Sequence, residues 1–88
     1  MKAAKVIGRV VATQKDPSLV GIKLLLIQRM NWDGTLLPET LVAADMVGAG
    51  FREEVYFVEA RDASIAVPSN PPVDATIVGI IDDMEMQE

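Results

Sequence analysis

Between Ile22 and Ile27 the chain reads I-K-L-L-L-I. In a strand, alternate side chains point to opposite sides, so this run is apolar on both faces apart from Lys23. The stretch Ala75-Thr76-Ile77-Val78-Gly79-Ile80-Ile81 repeats the pattern. A small barrel needs only its inward face to be apolar, and 88 residues supply one small core. The surplus apolar face predicts burial against another copy of the chain.

Other destinations for that surface fall away. Hydrophobic residues make up 50% of the chain, yet no run approaches the roughly 18 uncharged residues of a membrane-spanning helix. Lys2 and Lys5 lead into Gly8 and Arg9 rather than into the continuous apolar segment of a secretory signal. With no cysteine there is no disulfide framework, and small domains without one gain stability by associating. The reading is a single domain over residues 1–88, in the cytoplasm, with neither a membrane nor a nucleic acid as partner.

The alternation predicts five strands, at residues 3–13, 21–30, 40–44, 54–60 and 73–82. Gly8 marks a bulge in the first. Lys15-Asp16-Pro17-Ser18 and Asn31-Trp32-Asp33-Gly34 read as turns, the second needing positive φ at Gly34. Asp45-Met46-Val47-Gly48-Ala49-Gly50 is a tight turn made possible by its glycines. Residues 61–67 have the composition for one short helical turn, ended by Ser69-Asn70-Pro71-Pro72. The fold class is all-β: a small five-stranded OB-like barrel with one short helical turn before the last strand.

The inventory of reactive side chains is narrow. Without His or Cys, the Ser-His and Cys-His nucleophile pairs and thiolate or imidazole metal sites are impossible. Asp82-Asp83 is the densest carboxylate pair and reads as a solvated acidic end, the sharper alternative being a hard-cation site. Asp45 reads as an acceptor for turn amides, with general acid/base work as the alternative. No cofactor, no metal and no catalysis are expected. An OB-like barrel also raises a binding module for single-stranded nucleic acid or a small ligand. A net charge of −5 and four aromatics oppose that reading. Tyr56 and Phe57 must split between opposite faces, while Trp32 is either a contact or folded back on the barrel. Lys23 either lays its stem along apolar surface or makes an ion pair with a neighbouring chain.

Three segments resemble the signature blocks of the EutN/CcmL family of bacterial microcompartment shell proteins, carboxysomes included. They are T-Q-K-D-P-S-L-V-G-I-K-L-L-L (Thr13–Leu26), V-A-A-D-M-V-G-A-G (Val42–Gly50) and P-V-D-A-T-I-V-G-I-I-D (Pro72–Asp82), in the family's order and at similar spacing. The resemblance implies a homopentamer that caps the vertices of a shell tiled by hexameric proteins. A flat hexagonal sheet closes into a polyhedron only with five-fold units at its corners. A ring also requires a head-to-tail contact between two unlike patches. One departure stands out: Ala60-Arg61-Asp62-Ala63-Ser64 lies where family members carry a G-S-S-A-R-like segment. The residues expected at the subunit interface or lining the pore are Thr13, Lys15, Lys23, Leu25, Asp45, Gly48, Ala49 and Gly50.

Overall fold

The computed structural model describes residues 1–11, 21–59 and 75–82. Its strands are β1 (Lys2–Arg9), β2 (Lys23–Met30), β3 (Leu36–Asp45), β4 (Glu54–Glu59) and β5 (Ala75–Ile80). They close into a barrel in the order β1-β2-β3-β5-β4, with β4 pairing back onto β1. All neighbours are antiparallel except β3 and β5. Closure removes the free sheet edges that would otherwise template aggregation. Five strands in an OB-like barrel are what the alternation predicts. The helical turn expected over 61–67 lies outside the described residues, and among those described there is no helix.

Val6 pairs with Ile27 but Gly8 pairs with Leu26, so Ile7 is the extra residue of a bulge at the predicted place. β3 starts four residues earlier than the expected 40–44, in spite of Pro38. Proline removes a ladder donor, which argues against a strand interior. The register accommodates it: Gln28 pairs with Thr40 and Met30 with Leu36, so Arg29 alone faces residues 37–39. The Gln28 amide donates to the Leu37 carbonyl at 2.9 Å, replacing part of the missing ladder. Arg29 and Glu39 form an ion pair across the same bulge.

The core comprises Ala4, Val6, Leu25, Ile27, Ala43, Ala49, Val55, Phe57, Ala75 and Ile77. Phe57 is its largest fully buried side chain. Four alanines around the wall leave room for one aromatic ring and several branched side chains in so narrow a barrel. Tyr56 sits on the other side of β4, its ring over Gly79, its partner on β5. A Cβ on Gly79 would lie 2.0 Å from that ring, so the glycine is required by the close approach.

The surplus apolar face resolves into two different outcomes. Ala44 and Thr76, outward on β3 and β5, are fully buried within one subunit. Elsewhere on β2 and β3 an outward strip stays open: Leu24 and Leu26 are half-buried, and Val42, the cross-strand partner of Leu26, is 42% exposed.

Candidate functional site

The turn after β3 is organised by one carboxylate. Asp45 Oδ1 accepts from the backbone N–H of Val47 at 3.1 Å, Gly48 at 3.1 Å and Ala49 at 3.2 Å. Gly48 takes φ of 79°, a conformation that bends successive amides toward a common acceptor. The Asp45 side chain is almost completely buried, and its Oδ2 lies 3.7 Å from Lys23 Nζ. Lys23 also donates to the Ala49 carbonyl at 3.1 Å. The turn continues with the Gly50 N–H donating to Glu53 Oε1 at 2.6 Å and Glu53 N–H to the Gly50 carbonyl at 3.1 Å. Asp45 is therefore spent on its own backbone and on Lys23, which leaves it poorly placed to activate a substrate. Lys23 finds its counter-charge inside its own chain, while its half-exposed stem still meets solvent.

These contacts gather Lys23, Asp45, Gly48, Ala49 and Gly50 at one end of the barrel, since Lys23 and Asp45 are register partners of β2 and β3. Two of the residues expected at the interface or pore, Leu25 and Ala49, are buried in the subunit core, 3% and 0% exposed. With three consecutive leucines the alternation left the parity of β2 undecided, and the inward positions are Leu25 and Ile27. Thr13 and Lys15 lie outside the described residues.

The same end carries features that sequence reasoning missed. Val6, Gly8, Arg9, Lys23, Leu25 and Phe51 contribute to the lining of a cavity of about 330 Å³ at the barrel mouth. Phe51 is 64% exposed, and the Arg52 guanidinium lies 5.3 Å from its ring centroid. Arg52 itself takes a left-handed φ of 71°, uncommon for a residue with a Cβ. Phe51 falls in a turn, where no alternation marks its direction. Val42 was legible as part of the second signature block but not as an open residue.

At the opposite end, the β2–β3 hairpin closes through Asn31 N–H to the Thr35 carbonyl at 2.8 Å and Gly34 N–H to the Asn31 carbonyl at 2.9 Å. Gly34 has the positive φ expected of it, 93°. Thr35 donates its backbone N–H to Asp33 Oδ1 at 2.9 Å. That bond, with a side-chain bond from Thr35, holds the Asp33 carboxyl below its ordinary range. Trp32 and Leu36 stand about half exposed on this hairpin. Among the described residues no cluster of acidic, His or Cys side chains could hold a metal ion.

Comparison with known proteins places these features in a family. The family model described as "Ethanolamine utilisation protein EutN/carboxysome" matches residues 1–82. The carboxysome shell vertex protein CcmL of Nostoc sp. is 48% identical, over 100% of this chain and 89% of its own length. The bacterial microcompartment shell vertex protein PduN of Salmonella typhimurium is 42% identical, over 96% of this chain and 98% of its own. The solved GrpN pentameric microcompartment shell protein from Rhodospirillum rubrum superposes with a TM-score of 0.88 at 39% identity, covering 99% of this chain and 100% of that one.

Proposed function

Since the chain belongs to the EutN/CcmL family, we propose that it is a structural shell protein whose homopentamer caps the vertices of a bacterial microcompartment. One observation carries this reading. Sequence identity of 42–48% to shell vertex proteins over nearly the whole chain coincides with a full-length structural match to a pentameric shell protein. Its place is the microcompartment shell, inside the cytoplasm. The chain acts by assembly and carries out no chemistry. The lack of His and Cys and the commitment of Asp45 to turn amides support that.

The ring contact is heterologous: one patch of each subunit meets an unlike patch of the next. We assign the outward strip of Leu24, Leu26 and Val42 to one side of it. That strip is the apolar surface that the subunit leaves open on β2 and β3. Thr13 and Lys15 belong to the segment between β1 and β2 in the chain. It is a candidate, with Gly48 and Gly50, for the ring's channel or the neighbouring contact. The outer edges of the ring meet hexameric shell proteins.

The experiment is reconstitution. Hexameric shell proteins assembled with this chain give closed polyhedral particles. Without it they give open sheets or tubes, because hexagons alone cannot close. Equal closure with and without the chain refutes the vertex role.

A further inference from the structure

The bulge in β1 turns a cation toward the barrel mouth. Arg9 pairs with Leu25, and directly opposed residues of antiparallel strands share a face. Leu25 faces the core, so the extra residue, Ile7, brings Arg9 to the inward side, where unbroken alternation from Val6 would have sent it outward. Lys23, two residues before Leu25 on β2, stands in the same inward rank. Both cations line the cavity of about 330 Å³, whose apolar part includes Val6, Leu25 and Phe51.

The mouth is held in shape without a ligand. The Arg52 N–H donates to the Val6 carbonyl at 2.8 Å and the Val6 N–H to the Glu53 carbonyl at 2.9 Å, which clamps the Phe51 turn against β1 beside the bulge. The Arg52 guanidinium, 5.3 Å from the Phe51 ring centroid, adds positive charge on its far side. The neighbouring acids are engaged: Glu53 accepts from the Gly50 amide, and Asp45 accepts from three amides and faces Lys23. Arg9 is exposed and makes no ion pair among the described residues, so its charge is the unmatched one. In a chain of net charge −5 this is a local inversion of sign.

We propose that this cavity binds a small monocarboxylate with a compact apolar body, its carboxylate on the Arg9 guanidinium and its body against Phe51, Val6 and Leu25. The guanidinium fork matches a carboxylate, and the volume lies at the small end of ligand pockets, roughly 300–1,000 Å³. A bare anion leaves the apolar wall uncovered, and a neutral hydrocarbon leaves Arg9 unmatched. The site therefore selects for both properties in one molecule. The inference goes beyond the shell role and holds whatever the number of subunits in the ring.

The probe is phenylacetate, titrated into the isotope-labelled, assembled protein and followed by the backbone amides in NMR. The expected result is a saturable shift of Gly8, Arg9, Gly50 and Phe51. Phenylacetamide, equal in shape but neutral, binds about tenfold more weakly or worse, the scale of a lost charge-assisted contact. Acetate gives no saturable shift in the same range. Arg9→Gln weakens phenylacetate by a similar factor, and Phe51→Ser weakens it several-fold, with sedimentation confirming that each variant still assembles. Should either variant fail to assemble, the three probes on the parent protein decide alone. No saturable shift, shifts centred elsewhere, or equal affinity for the acid and the amide overturns the proposal. So does acetate binding as well as phenylacetate, which would reduce the site to an adventitious ion only.

Discussion

Replacing Asp45 by alanine removes the acceptor of three backbone amides in one step. The losses are unequal. Val47 and Gly48 are exposed, so their amides turn to water and each lost bond costs about 0.5–1 kcal/mol. Ala49 is fully buried, and its orphaned N–H costs about 1–3 kcal/mol. The pair with Lys23 adds less than about 1 kcal/mol, since the Lys23 side chain is 43% exposed. Together these give roughly 2–6 kcal/mol, a large share of the roughly 5–15 kcal/mol that holds an ordinary domain together. Asp45→Asn keeps one accepting oxygen and should cost about 1–2 kcal/mol. Urea unfolding at one fixed protein concentration, monitored by far-ultraviolet circular dichroism, reads both values, because association adds a concentration-dependent contribution to stability. An Asp45→Ala variant within about 0.5 kcal/mol of the parent would refute the claim that this carboxylate holds the turn. If Asn were as costly as Ala, the charge facing Lys23, and not the accepting oxygen, would be what matters.

Three further outcomes are expected. Leu25→Asp buries an unpaired charge in the core and should abolish folding, whereas Leu26→Asp should leave a folded subunit that no longer assembles, as read by circular dichroism and sedimentation. A full-size Leu26→Asp assembly would remove the outward β2–β3 strip from the interface. Gly79→Ala should cost about 1–3 kcal/mol in chemical denaturation by displacing the Tyr56 ring, and much less in a Tyr56→Ala background; equal costs in both backgrounds would show that the ring is not the obstacle. The Asp33 carboxyl, followed by NMR through the Thr35 amide, should titrate below the ordinary aspartate range. Because its folded pKa is depressed, its small contribution to stability is present above the unfolded value and fades as pH falls through the folded one. A midpoint at or above the ordinary value contradicts the Thr35 hydrogen bonds.

Legibility in the sequence followed the physics of alternation. β1, β4 and β5 announce themselves through β-branched and aromatic residues, β2 through its run of aliphatic side chains, and Gly8 and Gly34 through the backbone freedom that their positions need. The early start of β3 was hidden because Pro38 reads as a breaker, and only a side chain from the paired strand, Gln28, makes it tolerable. Leu24, Leu25 and Leu26 are chemically identical, so which of them faces inward depends on registers set by Ile27, Ala43 and Val42 on two strands. The covered state of Thr76 and the openness of Val42 are tertiary facts that no local pattern encodes. Asp45 was legible as a turn acceptor, since an Asp before two glycines has amides within reach. Its bond with Lys23 required the pairing of β2 with β3. The number five has no signature in composition or periodicity at all; it came from the resemblance.

The central claim, that the surplus apolar face serves a five-membered ring, is tested most directly by native mass spectrometry of the intact assembly. The account predicts one dominant species of about 47.5 kDa, five times the 9.5 kDa chain. A monomer at micromolar concentration, or a hexamer in its place, would contradict it.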